Sequence, residues 1–261
     1  MKLSVAIITL NEEANIARAI GAVRDLADEI VVLDSFSSDH TVEIASGLGA
    51  LVFQQEFAGY IEQKNDCLAK CSGEWILCLD ADEVVSPELA ESIRLAIGQP
   101  AIPAAPESPL GGYVLNRRTF YMGRLLKHAW QPDRKLRLVR RAAAPRWSGD
   151  NPHDRLEING KTRRLPGDLV HYSYRDFNAH MEQTRRFARQ IAQSYHARGK
   201  KSGYAAILLK PPFVLFKRLF LQRAILDGTP GLMAAMSSAA YVYMKYAFLW
   251  ELQTQRGKEE E

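Results

Sequence analysis

The sequence predicts an α/β fold in which a Rossmann-like core precedes a mostly helical C-terminal extension. Over residues 3–80, apolar runs of strand length alternate four times with segments of helical periodicity, which is typical of a doubly wound sheet. From Phe177 onward the pattern is helical to the end. We therefore predict two parts, a core over residues 1–176 and a helical extension over residues 177–261.

The core begins with a strand that is buried on both faces. Residues 3–10 form an unbroken apolar run rich in β-branched side chains. Asn11 is then placed to cap a helix that extends to about Leu26. The same alternation continues with strands at 30–33, 50–54 and 75–79 and helices at 41–48 and 60–71. In such sheets the binding crevice lies outside the carboxyl ends of the strands.

The pattern changes after the fourth strand. Residues 99–110 hold four of the twelve prolines, which predicts a surface loop. Residues 112–172 alternate short β-type runs with polar turns, which indicates mixed or antiparallel strands. The second half of the core is therefore expected to differ from the parallel first half.

Charge is distributed unevenly around the net value of +4. Residues 1–98 contain 6 Lys+Arg and 17 Asp+Glu. Residues 99–148 contain 10 Lys+Arg and 2 Asp+Glu, and residues 177–261 contain 13 Lys+Arg and 6 Asp+Glu. A basic remainder after an acidic third indicates an anionic partner, such as phosphate, nucleic acid or a membrane surface. The 47% hydrophobic and 25% charged composition excludes a disordered or fibrous chain.

The cysteines predict a reducing compartment. There are three, Cys67, Cys71 and Cys78, and an odd number excludes a complete disulfide framework. No second Cys/His pair stands at a zinc-site spacing, so we expect small buried side chains rather than a metal site. The apolar N-terminal run is too short for a signal peptide and lacks a cleavage site, which favours a location on the cytoplasmic side.

An Asp-x-Asp pair follows the fourth strand. Asp80 and Asp82 are separated by one residue, so their carboxylates point the same way and can coordinate one divalent cation, Mg or Mn. The alternative is a solvated acidic turn. Asp34 ends another predicted strand, and carboxylates at the carboxyl ends of strands favour a binding site.

Three segments, in this order, resemble the motifs of the inverting family 2 glycosyltransferases, which have the GT-A fold. Residues 5–12 (VAIITLNE) are similar to the first strand and turn of that family, residues 32–41 (VLDSFSSDHT) to its uridine-binding segment, and residues 80–82 (DAD) to its metal motif. The chain departs from the family pattern at Leu10, where an aromatic residue is common, and at Ser35, where a second aspartate is common.

The resemblance implies a nucleotide-sugar donor, with UDP as the expected nucleotide. Thr9, Asn11 and Glu12 would line the nucleotide pocket, and Asp34 would accept a hydrogen bond from the uracil ring. Lys64, within a segment that resembles the family's basic segment on the next helix, would point toward the nucleotide.

The same resemblance assigns the metal side of the site. Asp80 would face the ribose or donor sugar, and Asp82 would bind the metal and face the diphosphate. His171 resembles a histidine near the metal or diphosphate in relatives; a core histidine on a strand is the alternative.

Transfer with inversion needs a carboxylate that deprotonates the acceptor hydroxyl. Residues 147–154 (WSGDNPHD) resemble the His-Glu element of a subfamily of these enzymes, with Asp154 in place of the usual Glu. The resemblance implies Asp154 as the base, with His153 orienting it or touching phosphate. Asp150 is the second candidate, and a plain surface turn is the alternative.

A basic and aromatic stretch follows the predicted loop. Residues 111–148 contain ten Lys+Arg and one acid, Asp133, among several aromatic side chains. Guanidinium groups bind phosphates and aromatic rings stack on sugars, so we expect a phosphorylated glycan acceptor here. A solvated basic face and nucleic-acid binding are the alternatives, but no nucleic-acid fold motif accompanies the stretch, so no nucleic-acid partner is predicted.

The extension combines apolar and basic residues. Residues 177–225 contain ten Lys+Arg and one acid, Glu182, which is typical of a helix at an anionic membrane surface. Residues 228–244 carry no charge, but seventeen residues are few for a bilayer core of about 30 Å. We favour monotopic or helix-packing roles, with a membrane span or a homo-oligomer interface as alternatives.

The whole pattern resembles bacterial lipopolysaccharide core glucosyltransferases. It implies a peripheral enzyme at the cytoplasmic face of the inner membrane that moves a hexose, expected to be glucose, from a UDP-sugar to a lipid-linked, phosphorylated glycan. A nucleotidyltransferase would need a Gly-rich phosphate loop after its first strand, which residues 10–13 (LNEE) lack. A non-enzymatic membrane-binding module would leave the ordered carboxylates unexplained.

Overall fold

The computed structural model describes residues 2–98, 109–150 and 153–256, and the side chains of Asp150, His153 and Arg256 lie outside the described part. Most of the loop predicted at 99–110 also lies outside it. The chain forms two compact units. The first comprises the described residues of 1–117 and 133–172, and the second those of 118–132 and 173–261.

The first unit is built on a mixed sheet. Its strands are β1 (Leu3–Thr9), β2 (Glu29–Asp34), β3 (Leu51–Gln54), β4 (Trp75–Asp80), β5 (Glu83–Val85), β6 (Leu110–Tyr121), β8 (Arg134–Arg140) and β11 (Lys161–His171). The last four residues of β6, 118–121, belong to the second unit. They lie in the order β3-β2-β1-β4-β8-β6-β11-β5. The first three neighbouring pairs are parallel, and β8 joins β4 antiparallel. The predicted change from parallel to mixed strands is confirmed.

Helices cover both faces of the parallel half because successive strand residues point to opposite faces. The helices of this unit are α1 (Ile16–Val23), α2 (Thr41–Gly47), α3 (Tyr60–Lys70) and α4 (Pro87–Gly98). Val5 and Ile7 pack with the apolar faces of α1 and α4, whereas Ala6 packs with Cys67 and Leu68 of α3. Full burial of each large aliphatic side chain contributes about 1.5–3 kcal/mol.

Two local predictions have different outcomes. The expectation that Asn11 caps the first helix is wrong, since α1 begins only at Ile16 and Asn11 has a positive φ of 55° in the preceding turn. The expectation of small buried cysteines is confirmed, because all three are free and buried. Burial raises the pKa of Cys67 and Cys78 to about 12, which makes them poor thiolates.

A small hairpin extends from the first unit. It consists of β9 (Arg146–Asp150) and β10 (His153–Glu157), which pair antiparallel with Asp154 opposite Gly149. The hairpin carries Trp147 and Leu156 into the same apolar cluster as α3. This packing attaches the segment of the predicted base to the sheet.

The second unit is mostly helical, as predicted. It contains the short strand β7 (Arg124–Leu125) and helices α5 (Phe177–Ala197), α6 (Tyr204–Phe216) and α7 (Gly228–Arg256). A π-helical turn, Lys217–Leu221, and a 3-10 turn, Ala224–Asp227, connect α6 to α7. Within the described residues, no helix is both long and apolar enough to cross a bilayer.

Asp227 joins two segments of the second unit. Its buried carboxylate accepts hydrogen bonds from the backbone N–H groups of Lys127, His128 and Ala129, at 3.0, 2.8 and 2.7 Å. The carboxylate therefore satisfies three donors of the 118–132 segment that would otherwise lack these partners.

We predict that Asp227→Ala lowers the free energy of unfolding by about 3 kcal/mol, because it removes charge-assisted hydrogen bonds to three backbone donors. Urea denaturation followed by circular dichroism measures this change. The matched control is Glu251→Ala on the exposed surface of α7, which we expect to change stability by less than about 0.5 kcal/mol. Equal effects of the two substitutions would contradict the role given to Asp227.

Candidate functional site

The candidate site lies at the carboxyl ends of three neighbouring parallel strands. Thr9, Asp34 and Asp80 are the last residues of β1, β2 and β4. Thr9 pairs with Asp34 in the register of β1 and β2, and Ile8 pairs with Asp80 in the register of β1 and β4. The sheet thus brings residues that are far apart in sequence to one edge.

Asp34 connects the turns that follow β1 and β2. Its fully buried carboxylate accepts hydrogen bonds from Thr9 Oγ1 at 2.9 Å and from the backbone N–H of Ser37 at 2.8 Å. Asn11 accepts from the N–H of Ser38 at 2.8 Å, and its own N–H donates to Ser37 Oγ at 2.8 Å. Three residues predicted to line the nucleotide pocket therefore form one network.

Glu12 lies in the same turn and faces other carboxylates. Its backbone N–H donates to Thr41 Oγ1 at 2.8 Å, and its side chain accepts from Asn15 at 2.9 Å. Burial raises the pKa of Glu12, and the negative charges of Asp82 and other nearby carboxylates raise it further. A cation beside Glu12 and Asp82 would relieve this repulsion.

Asp80 is held by two cations. Its carboxylate lies 2.9 Å from Lys64 Nζ and 2.7 Å from Arg137 Nη2. Burial alone would raise the pKa of Asp80, but the charges of Arg137 and Lys64 outweigh burial and hold that pKa well below its usual range. Asp80 is therefore ionised across the range in which proteins are folded.

Arg137 also neutralises Glu83, a residue that the sequence interpretation missed. Glu83 is fully buried, and Arg137 Nη2 lies 2.8 Å from its Oε1. Arg117 lies 3.2 Å from the same oxygen and 2.7 Å from Asp133. Arg117 and Arg137 belong to the stretch interpreted as acceptor-binding, but in the structure both pair with protein carboxylates.

Lys64 links the metal motif to the predicted base. Its Nζ lies 2.8 Å from Asp154 Oδ2 while it pairs with Asp80. Burial lowers the pKa of Lys64, but Asp80 and Asp154 outweigh burial and raise that pKa. The Lys64 Nζ also lies 4.4 Å from the centroid of the Trp147 ring, within the range of a cation–π interaction.

Asn65 attaches the β9–β10 hairpin to α3. Its amide donates to Trp147 O at 3.0 Å and accepts from Trp147 N at 2.8 Å. Asp154 thus reaches Lys64 from a hairpin whose first strand is fixed beside α3. His153 pairs through its backbone with Asp150, and the side chains of both lie outside the described part.

Asp82 and His171, the two residues predicted as metal ligands, lie next to each other. His171 Nε2 lies 3.1 Å from Asp82 Oδ2, and the backbone of Tyr172 donates to Asp82 O at 2.9 Å. Among the described residues, no group of three or more His, Cys, Asp or Glu side chains is arranged to hold a metal. The Asp82 carboxylate is the kind of oxygen ligand that Mg or Mn takes, and the remaining oxygen ligands would come from phosphate and water.

The buried ion pairs give a testable effect on stability. We predict that Arg137→Met lowers the free energy of unfolding at neutral pH by about 3–5 kcal/mol, because it leaves the buried charges of Asp80 and Glu83 undercompensated. The matched control is Arg94→Met, which breaks an exposed Arg94–Glu91 pair, and we expect it to cost at most about 1 kcal/mol.

The pH dependence separates this ion pairing from packing. The pKa of Asp80 is lower in the folded than in the unfolded protein, so its contribution is complete above the unfolded pKa of about 3.9 and is lost as the pH falls below it. Denaturation at pH 7 and pH 3 should show a smaller acid-induced loss for Arg137→Met than for the wild type. An equal loss in both proteins would contradict the pairing.

Comparisons with known proteins give a family match and several similar proteins. A family model described as "Glycosyl transferase family 2" matches residues 4–146. A Rickettsia typhi protein named an uncharacterized glycosyltransferase is 29% identical over 96% of this chain and 87% of the relative. A Rhizobium meliloti protein named a lipopolysaccharide core biosynthesis glycosyltransferase is 26% identical over 96% of this chain and 93% of that protein.

One similar solved structure is a mannosyltransferase from Pyrobaculum calidifontis in complex with GDP-mannose and Mn2+. It has a TM-score of 0.49 and 17% identity, and the match covers 100% of this chain and 81% of that chain.

Proposed function

The chain belongs to glycosyl transferase family 2 and has the predicted GT-A core with a helical extension, and we propose that it moves a hexose from a UDP-sugar to a lipid-linked, phosphorylated glycan with inversion. The observation that carries the proposal is the position of Lys64, which holds Asp154 at 2.8 Å and Asp80 at 2.9 Å. Lys64 thereby brings a base candidate on the β9–β10 hairpin close to Asp80 at the end of β4.

The donor would bind across the turns that follow β1 and β2. Thr9, Asn11 and Asp34 form one hydrogen-bonded network there, so a nucleotide would meet a surface that is already ordered. Glu12 lies in the turn that follows β1, where its backbone N–H donates to Thr41 Oγ1. Preorganised polar groups reduce the ordering cost of binding.

Asp82 and His171 would hold the divalent metal, Mg or Mn. The metal would neutralise charge on the departing diphosphate. Asp80 takes a different role in this arrangement, since Lys64 and Arg137 already compensate its charge. A carboxylate fixed by two cations is suited to orient hydroxyl groups of the ribose or donor sugar.

Asp154 would act as the general base on the acceptor hydroxyl. Lys64 orients the carboxylate, because its ammonium group lies within hydrogen-bond distance of Asp154 Oδ2. The bound acceptor hydroxyl would donate to this carboxylate as it attacks the anomeric carbon. His153, on the same strand, would orient the base or contact phosphate.

The acceptor would be a phosphorylated glycan carried on lipid, such as lipopolysaccharide inner core. Support comes from the Rhizobium meliloti relative, which is named a lipopolysaccharide core biosynthesis glycosyltransferase, and from exposed basic residues in the stretch that follows the metal motif. In the first unit these include Arg134, Arg141 and Arg146. The enzyme would act as a peripheral protein at the cytoplasmic face of the inner membrane.

A donor screen tests the proposed reaction. The full chain is incubated with Mn2+ and each common nucleotide sugar, and the released nucleoside diphosphate is measured with and without extracted inner-core glycolipid. We expect UDP release, with UDP-glucose the best donor and with stimulation by the glycolipid. Turnover that is restricted to a donor other than a UDP-sugar would overturn the assignment of the nucleotide.

We predict that Asp154→Asn lowers kcat for glycolipid-dependent UDP release by about 10²–10⁴-fold, because an amide cannot accept the acceptor proton. The matched control is Glu157→Gln on the same strand, where a partly exposed carboxylate pairs with Arg155. We expect this control to retain turnover within about twofold. Full activity of Asp154→Asn would exclude Asp154 as the base.

We predict that Asp82→Asn and His171→Ala each raise the Mn2+ concentration needed for half-maximal UDP release by tenfold or more, since each removes one metal ligand. Chelation by EDTA should abolish turnover, and added Mn2+ should restore it. Asp25→Asn, which changes an exposed carboxylate of the turn before β2, is the control. Turnover that is insensitive to EDTA would contradict the metal role.

A further inference from the structure

The second unit exposes a continuous apolar surface around α6. None of the residues of α6 is buried, although most of its side chains are apolar. Across α6 and the two turns that follow, large apolar side chains are each more than half exposed, and we call this set the apolar edge: Tyr204, Leu208, Leu209, Phe213, Phe216, Phe220, Leu221, Ile225 and Leu226. A group of nine large apolar side chains that are exposed on one short part of the chain indicates an interaction site.

Part of the apolar edge lies on one face of the chain. Leu209, Phe213, Phe216 and Phe220 follow one another at intervals of four, three and four residues, which places them on the same side of a helix. The rings of Phe216 and Phe220 have centroids 5.2 Å apart. These side chains can therefore enter an apolar medium together.

An apolar groove adjoins this surface. It has a volume of about 500 Å³ and is lined by residues of α6 and α7 that include Tyr204, Leu208, Pro211 and Tyr243. An acyl chain fits such a lining, because it needs no hydrogen-bond partners.

The charged residues in the sequence around the apolar edge are basic. Residues 183–226 contain ten Lys+Arg and no Asp or Glu, and the next acid, Asp227, is buried against backbone N–H groups. Lys217 and Arg223 are exposed within the edge itself. A partner that covers this surface must therefore accept apolar side chains and cations side by side.

We propose that the apolar edge inserts into the interfacial layer of a bilayer with anionic headgroups. The proposal deepens the proposed function and rests on it for the lipid-linked acceptor. Lys217 and Arg223 extend to the headgroups while the apolar side chains enter the acyl region. A second copy of the chain suits this surface less well, because lysine is depleted in protein interfaces and its desolvation is costly.

The experiment measures binding of the full chain to sedimented vesicles. Phosphatidylcholine vesicles are compared with vesicles that also contain phosphatidylglycerol, at low and high salt. We expect binding that needs the anionic lipid and weakens with salt. Leu209→Ser combined with Leu221→Ser should reduce partitioning by about 100-fold, about tenfold for each side chain.

The matched control is Leu95→Ser on α4 of the first unit. Leu95 is 59% exposed and Leu209 is 61% exposed, so each substitution removes similar apolar surface. The control should bind vesicles as the wild type does. Lys217→Gln combined with Arg223→Gln should weaken binding to the phosphatidylglycerol vesicles, with about a fivefold loss for each charge.

UDP release from a soluble UDP-sugar separates this proposal from the proposed function. We expect that activity and the thermal unfolding midpoint to be unchanged in all of these variants. Vesicle binding without turnover would overturn the proposed function alone. Absence of vesicle binding, equal binding by the Leu209/Leu221 variant, or a dimer in ultracentrifugation that this variant dissociates would overturn the membrane proposal.

Discussion

The ion pairs of Lys64 are the interaction on which the candidate site depends. One ammonium group, only 10% exposed, lies within 3 Å of carboxylates that are 74 residues apart in sequence, Asp80 and Asp154. Without Lys64, two anions would face each other in a poorly hydrated space, and their repulsion would separate the hairpin from the strand end. The ring of Trp147 and the hydrogen bonds of Asn65 hold the hairpin so that this contact is made.

Charge compensation divides the carboxylates into two groups. Asp80, Glu83, Asp133 and Asp154 each pair with Lys or Arg, so their charges serve to order the structure around them. Asp82 instead pairs with His171, and the pKa of Glu12 is raised by burial and, to a smaller extent, by the charge of Asp82. A bound cation would therefore stabilise the negative charges of this second group. The neighbouring acids of one short motif therefore differ in their partners, since Asp80 pairs with Lys64 and Arg137, and Asp82 pairs with His171.

Much of the parallel half of the core could be predicted from the sequence because its signals are local. Buried strands such as β1 and β4 appear as mostly apolar runs of strand length, and their last residues mark the site directly. The error at Asn11 arose because its side chain and backbone bond to Ser37 and Ser38, which follow a different strand. The sequence around Asn11 contains no signal for hydrogen-bond partners that follow a different strand.

The ion network could not be predicted for the same reason. Arg137 belongs to a basic stretch, and such a stretch predicts exposed side chains that bind an anion. In the structure, β8 pairs with β4, and this pairing brings Arg137 against Asp80 and Glu83. Glu83 directly follows the metal motif, which is the signal that could have identified it. Its partners Arg117 and Arg137 are distant in sequence, and only the sheet order brings them to it.

A double-mutant cycle on the unfolding free energy tests the central contact most directly. Lys64→Met, Asp154→Asn and the double variant are compared with the wild type at neutral pH. If Lys64 holds Asp154 in place, the two substitutions are non-additive, with a coupling energy of about 1–3 kcal/mol. Additive effects, within about 0.5 kcal/mol, would show that the two side chains do not interact and would contradict the account.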